Sequence, residues 1–596
     1  MNAPMQAPDP KKKLRCIVVQ LARLGDTLQS LMALRAAQQL YPNLEIHFVA
    51  RERFADAVKR VPWITRVIPL PTESLLAPIL AGKKRELDSL GDIARWIAPL
   101  VSEPWDFVVN WSYSEASSYL TGLLPGRVKL GYSRRKDTTF SSCDGWSHYI
   151  QAIVQSGVNQ NIHLTDILTT QLLTALQIHA GEPENNGDSP VTSKSFFTLS
   201  LEETKLGWGG RDLTKKWIAI QLGAGRESKT WAPENWAALS RLILKNHPEY
   251  NIVLLGGNED KERMKTLREK CPENFDDNAR IVSLVGETDF DLWASVISRC
   301  QWLFAGDTAA IHLASVLGTR VMNVSVGPVR WVETGPYGNG HYVISSSSDI
   351  IAPEIVYGTW SYALNDWNPN KQLPFEEHFD KLGYASHAHE TGIYRSKIRS
   401  TENGGGIQYE SLIRKPMDLD EWSTLVMGHI ARAWYCGWVP PVGQDLTRDR
   451  INTALVKKLR ELLESSDAMV KICDEARKTA VVLQQKSAGL RSNKVMGVQD
   501  REEIQELGKK LRELDLLIER LGQTHSPLRA FAQMSKVLMH NLRGDDLCEL
   551  GQESASSYRQ LSEGVSILRE WTKSTLNMAK PMALKATRPM LKEISP

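Results

Sequence analysis

The sequence predicts an α/β protein built from two successive Rossmann-like halves, followed by a small mixed region and a C-terminal α-helical hairpin or bundle. Three observations predict it. Short β-branched runs alternate with stretches of helical spacing from Leu14 to about Ile178, the pattern of a parallel, doubly wound sheet. The same alternation restarts after a polar stretch, Gly181–Ser195, rich in Gly, Pro and Asn. Beyond Asn365 the strand pattern gives way to amphipathic helices.

In the first half, "LRCIVVQLA" reads as a strand and "TLQSLMALRAAQQL" as the helix after it, with "LEIHFVA", "ITRVIPLP", "DFVVNW" and "VKLGYS" as later strands. In the second half, "WIAIQLGA", "NIVLLGG", "IVSLVG", "QWLFAG" and "RVMNVSV" read as buried strands, and helix resumes near Pro353. The expected division is a disordered tail over 1–13, a first half over 14–180, a linker over 181–195 and a second half over 196–364. A mixed α+β extension over 365–445 and a helical region over 446–596 follow. A hairpin is expected in "GIYRSKIRSTENGGGIQYESLI", around Gly404, Gly405 and Gly406. Ile504, Leu507, Leu511, Leu514, Ile518 and Leu521 repeat at alternating spacings of three and four, and Leu455, Leu459, Leu462, Met469 and Cys473 follow a similar frame interrupted by Ser466. Both runs are too short for a long coiled coil. Removal of 446–596 is expected to leave a folded core. The end of the chain is basic and apolar but broken by Pro581 and Pro589.

At 596 residues, 42% hydrophobic and 24% charged, the chain has an ordinary globular composition and is too long for one domain. A net charge of +3 argues neither for nor against nucleic acid, and no nucleic-acid partner is expected. None of the seven cysteines stands in a Cys-x-x-Cys pair, which argues against a zinc site, an iron–sulfur cluster or a disulfide framework. No run approaches 18 apolar residues, so no membrane span is expected. The N-terminal stretch lacks the apolar core of a signal peptide. The expectation is a cytoplasmic protein, with peripheral contact at the inner face of the cytoplasmic membrane as the further option.

Three constellations could carry chemistry, each where a strand hands over to a helix, the end at which open α/β sheets bind ligands. In "LARLGDTLQSLMALRAA", Gly25 is expected to turn the chain and Asp26 to open a helix. Asp26 is then either an N-cap or a proton-accepting carboxylate whose charge the helix N-terminus favours. In "LGAGRESKTWAPENWAAL", a glycine-rich turn carries Gly225, Arg226 and Lys229, with amides and a cation suited to an anion. In "AGDTAAIHLASVLG", Asp307, Thr308 and Ala309 form a strand-to-helix turn and His312 lies one turn into the helix. Either Asp307 or Thr308 caps and His312 packs, or the turn amides hold a diphosphate while Asp307 and His312 orient a polar ligand. Glu259 and Glu262 follow another strand, where a carboxylate could hold ribose hydroxyls. The pairs Asp289/Asp291 and Asp418/Asp420 have the Asp-x-Asp form of metal-dependent sugar transferases, but helix-start acids explain both, and no metal site is expected. There is no GxxxxGK[ST], HExxH or GxSxG motif.

Over roughly Leu14–Leu364 the sequence resembles glycosyltransferase family 9, the lipopolysaccharide heptosyltransferases. The resemblance is carried by "LGDTLQSLMAL", "NIHLTD", "GAGRESKTW", "VGETDFDLWASVISRCQWLFAGDTAAIHLASVLG" and "VGPVRWVETGPYG". It implies a GT-B fold, no cofactor, and a nucleotide-sugar co-substrate, ADP-heptose. It matches Asp26 to the family's proposed general base, and Lys229 and the turn after Asp307 to the donor diphosphate. Glu259 or Glu262 matches the ribose carboxylate, Val285 and Glu287 lie where the base is met, and Arg23 and His163 lie on the acceptor side. Glycine is usual in the family where Ala309 stands, and hydroxyl residues are common where Ala224 and Gly225 stand. The implied reaction is an inverting transfer of heptose, or a related sugar, to a lipopolysaccharide-core or other glycan acceptor. The alternatives are a protein O-glycosyltransferase of the same fold, or a non-catalytic nucleotide-binding or scaffold protein. The expected partners are the donor, a glycan, glycolipid or protein acceptor, and a second copy through the C-terminal helices.

Overall fold

The computed structural model describes residues 13–75, 81, 86–181, 196–197, 215–271, 280–346, 350–364, 374–384, 391–399, 405–413, 415–436, 446–489 and 497–586. Nearly all of the expected tail and of the expected linker, together with Gly404 and Pro589, lie outside these residues.

The first half begins with β1 (Leu14–Gln20), α1 (Leu24–Leu40), β2 (Leu44–Arg51), α2 (Glu52–Lys59) and β3 (Arg66–Leu70). It continues with α3 (Glu86–Val101), β4 (Trp105–Asn110), α4 (Glu115–Leu123), β5 (Gly126–Arg134) and β6 (Phe140–Ser142). Helices α5 (Gly145–Ser156) and α6 (Leu164–Ala180) follow. The strand order is β3-β2-β1-β4-β5-β6, and the pairings among β1 to β5 are parallel. Both faces of β1 are covered: Cys16, Ile17, Val18 and Val19 are fully buried. A parallel strand buried on both faces reads as a continuous apolar run, which is why "CIVV" does not alternate.

The second half repeats the topology. It contains β7 (Lys216–Gln221), α7 (Pro233–Asn246), β8 (Tyr250–Leu255), α8 (Lys261–Lys270), β9 (Ile281–Ser283) and α9 (Phe290–Arg299). Then come β10 (Trp302–Ala305), α10 (Ala309–Leu317), β11 (Arg320–Ser325), α11 (Trp331–Thr334), β12 (Tyr342–Ser346) and α12 (Pro353–Leu364). After α13 (Phe375–Leu382), the expected hairpin forms as β13 (Thr391–Ile398) and β14 (Ile407–Ser411). It joins β12 antiparallel, giving the order β14-β13-β12-β11-β10-β7-β8-β9. In each sheet the order reverses once, between β1 and β4 and between β7 and β10, and these switch points are where open α/β sheets bind ligands.

The compact units cut across the sequence-based boundaries. One unit holds both Rossmann-like halves and the hairpin; the other joins Ser141–Asn161 to Arg414–Pro596. The second unit is a helical bundle of α5 with α14 (Leu419–Cys436), α15 (Thr453–Ala488), α16 (Val498–Gly522), α17 (Ser526–His540) and α18 (Leu547–Ala586). The long helices α15 and α18 run antiparallel: Asp467 pairs with Arg569 and Asp474 with Ser562. Ser466 does not interrupt α15, because its buried hydroxyl donates to the Leu462 carbonyl at 2.7 Å, a back-bond that lets a small polar residue continue an apolar seam. Helix α18 also runs through Pro581 to Ala586 instead of breaking there.

Helix α5, expected within the first half, is part of this bundle. The Ser142 amide donates to Asn541 Oδ1 at 2.9 Å, and the Arg543 guanidinium to the Cys143 carbonyl at 3.0 Å. Trp146 packs against Tyr435 at 4.9 Å between ring centroids. The Asp-x-Asp pairs are accounted for at helix starts: Asp289 accepts from Leu292 N and Asp418 from Glu421 N. Among the described residues no helix is long and apolar enough to cross a membrane.

Candidate active site

The residues after β1 build the first part of the site. The turn is made by Leu21–Arg23, not by Gly25; Arg23 is the N-cap, α1 opens at Leu24, and Asp26 is its third residue. The Asp26 carboxylate accepts from the Arg23 amide at 3.0 Å, the acidic half of a capping box. The backbone is anchored from below by Gln20, whose amide donates to Ser30 Oγ at 2.9 Å and whose carbonyl oxygen accepts from Ser112 Oγ at 3.0 Å. Gly25 serves close approach: a Cβ there would lie 2.9 Å from His312 Cδ2 and 3.8 Å from Ala309 Cα. The first turns of α1 and α10 therefore meet, bringing two helix N-termini with their partly positive ends together.

Burial raises the pKa of Asp26 above the ordinary carboxylate value, against the lowering effect of the Arg23 amide and guanidinium, and the charge of Asp307 adds to the rise. A helix N-terminus alone predicts the opposite shift; desolvation outweighs it.

The second part stands at the β7/β10 switch point. Lys229 Nζ pairs with Asp307 Oδ2 at 2.6 Å, and both side chains are about five-sixths covered. The loop carrying Lys229 is held close by two glycines: a Cβ on Gly306 would lie 3.0 Å from the Lys229 carbonyl oxygen, and one on Gly327, at φ +76°, 2.0 Å from the Ser228 carbonyl oxygen. Arg263 supports the loop from the other side, pairing with Glu227 and, at 2.6 Å, with Asp260. Thr308 is the N-cap of α10, accepting from the Ala310 amide at 3.0 Å. The adjacent first-turn N–H groups of α10 are the kind a helix leaves without helical partners. His312 is buried and pushed down to about 4, chiefly by burial, so it is neutral near pH 7. Its Nδ1 has no hydrogen-bond partner among the described residues.

The structure thus brings Asp26, Asp307, Lys229, Thr308, Ala309 and His312 into one neighbourhood. Gly225 and Arg226 lie exposed on the same loop as Lys229, and Arg23 is exposed beside Asp26. Glu259 follows β8 with its carboxylate folded over Gly257, while Glu262 points outward from α8. The side chain of Val285 is buried in the core under the second sheet; Glu287 is exposed in the same turn. His163 stands apart in role. It is 1% exposed, its Nδ1 accepts from the Thr165 amide at 3.1 Å, and its Nε2 meets the Gly335 carbonyl at 2.9 Å. Both nitrogens are therefore committed to holding backbone.

Asp260 was not singled out from the sequence. It is 2% exposed, and Cβ atoms on Gly223 and Gly256 would fall 2.0 and 2.6 Å from its carboxylate. Its signal was the spacing Asp260-x-x-Arg263, an i,i+3 pair at a helix start, hidden between two more exposed glutamates.

Two Rossmann-like sheets in succession are the arrangement of the GT-B fold. Residues 93–358 match the glycosyltransferase family 9 (heptosyltransferase) model. Lipopolysaccharide heptosyltransferase 1 of Escherichia coli K12 is 23% identical over 341 residues, covering 55% of this chain and 93% of that protein. Lipopolysaccharide heptosyltransferase 2 of the same organism is 21% identical over 323 residues, covering 53% and 83%. Among solved structures, E. coli heptosyltransferase WaaC with ADP aligns with a TM-score of 0.45 at 19% identity, covering 59% of this chain and all of that one.

Proposed function

We propose that the chain is an inverting, metal-independent transferase that moves heptose from ADP-heptose to a glycan acceptor of the lipopolysaccharide-core type. The observation that carries this reading is the meeting of a raised-pKa carboxylate, Asp26, with the Lys229–Asp307 pair and the N-terminus of α10. Solved E. coli heptosyltransferase structures hold ADP and ADP-2-deoxy-2-fluoro heptose, which supports the choice of donor.

In this reading the acceptor hydroxyl oxygen attacks the anomeric carbon. The bond from that carbon to the diphosphate breaks, and the leaving ADP takes the bonding pair. Asp26 takes the hydroxyl proton; its burial makes it a stronger base than an exposed aspartate. Lys229 and the first-turn amides of α10 meet the charge that grows on the diphosphate, in a site where preorganised donors act strongly. Asp307 holds Lys229 in place before the donor arrives. Glu259 is the better placed of the two glutamates for the ribose, and the turn at Val285–Glu287 offers backbone to the base. Arg23 lies on the acceptor side.

Lys229→Ala should weaken calorimetric binding of ADP by about tenfold or more, since a charge-assisted hydrogen bond to phosphate is worth ~1.5–3 kcal/mol. Unchanged affinity would remove Lys229 from the donor site.

A further inference from the structure

One carboxylate joins three parts of the Rossmann-like unit. Asp166 lies in the first turn of α6, in the first half, and is 9% exposed. Its Oδ1 accepts from the Tyr337 hydroxyl at 2.7 Å, in the segment between α11 and β12 of the second half. Its Oδ2 accepts from the Ile407 amide at 2.9 Å, the first residue of β14. Gly406, at φ +76°, makes room for this contact: a Cβ there would lie 2.4 Å from Asp166 Oδ2. Tyr337 stays a donor because burial first, and Asp166 second, push its hydroxyl well above its ordinary pKa.

The hairpin β13–β14 lies outside the residues matched by the family. The first amide of β14 reaches across to the first half. Other ties run between the halves, from His163 to the Gly335 carbonyl and from Arg60 to Asp291. Asp166 differs from them in being a buried charge with both oxygens engaged by the opposite half. Buried ionised groups cost free energy unless fully hydrogen-bonded, so this carboxylate favours the one relative placement of the halves in which both donors reach it.

We propose that Asp166 is a positioning residue for transfer, its carboxylate joining Tyr337 and Ile407 so that Asp26 on one half is held at reacting distance from the Lys229–Asp307 pair on the other. The proposal rests on the transferase reading for its kinetic consequence but not for its structural one. Both Asp166 oxygens are engaged by protein donors, so it is given no contact with donor or acceptor in this reading. Its loss should therefore act on kcat and leave donor binding, which uses second-half groups, nearly as it was. A small misplacement of reacting groups is enough to cost a large factor in rate.

The test uses the full chain with a pair of labels on the exposed Lys59 and Lys245, one on each half, read as an inter-label distance distribution. The wild type should give one narrow distribution. Asp166→Ala should broaden it, lower kcat for acceptor-dependent transfer about ten- to hundredfold, and change the Kd for ADP-heptose less than about twofold. Tyr337→Phe, which removes one hydroxyl and keeps the carboxylate, should do the same in smaller measure; it carries the test alone if Asp166→Ala does not fold. Distance distributions identical to the wild type overturn the proposal, as does a fall in donor affinity that matches the fall in kcat. Broadened distributions in a protein whose wild type shows no turnover with ADP-heptose support the placement role and overturn the transferase reading instead.

Discussion

Asp26→Asn is expected to bind ADP-heptose with wild-type affinity and to lose about 10²–10⁴-fold in transfer, the usual contribution of a positioned general base. The substitution keeps shape and keeps an oxygen to accept from the Arg23 amide, so loss of rate reports loss of basicity. Stability should move the other way. The pKa of Asp26 is raised in the folded chain, so folding favours its protonated form. That contribution is fully present below the unfolded-state value of about 3.9 and is lost as pH rises through the higher folded value. Near pH 7 the ionised carboxylate therefore costs stability, and the asparagine variant should melt at or above the wild-type temperature. The acid limb of kcat/KM should also fall at a higher pH than an exposed aspartate would give. A variant that transfers at the wild-type rate, or one that melts well below the wild type, contradicts the assignment.

Deleting residues 446–596 is expected to destroy more than it removes. Within the helical unit, α5 rests on α17 and α14, and α14 buries Trp422, Val426, Met427 and Ile430. The Trp422 indole donates to Thr575 Oγ1 at 3.1 Å, and His429 stacks on Trp571. Exposing these side chains, together with Trp146 and Tyr149, costs on the order of 2 kcal/mol for each large apolar group, against a typical domain stability of about 5–15 kcal/mol. Hydrogen exchange on the truncated chain should show 145–156 and 419–436 unprotected while β1, β4, β7 and β10 keep their protection. Retained protection in α5 and α14 would show that the bundle is dispensable to them.

The fold was legible where burial on both faces writes long apolar runs, as in β1, β8 and β10, and where Gly and Pro mark turns, as at Pro233. What sequence periodicity could not show is which neighbour covers a helix. Helix α5 reads as one more element of the first half, yet its partners α14 and α17 lie far on in the chain, as in Tyr149–Met427, 278 residues apart. The site was legible in its chemistry-bearing side chains, because Asp26, Lys229 and Asp307 each lie in the segment that follows a strand. Their mutual relations were not. The Lys229–Asp307 pair depends on β7 and β10 being neighbours in the second sheet, while the desolvation that reverses the expected shift of Asp26 and the closeness of Gly25 to His312 depend on how the halves pack. His163 shows the converse: its motif was visible, but only the structure shows both ring nitrogens holding backbone.

The most direct test of the account is transfer itself. Purified full-length protein would be incubated with ADP-heptose and a heptose-deficient lipopolysaccharide-core acceptor, with ADP release followed in time and the product's anomeric configuration read by nuclear magnetic resonance. The account predicts ADP release that depends on the acceptor and a glycosidic bond inverted relative to the donor. Retained configuration, or a protein that binds ADP-heptose and releases no ADP in the presence of the acceptor, would contradict it.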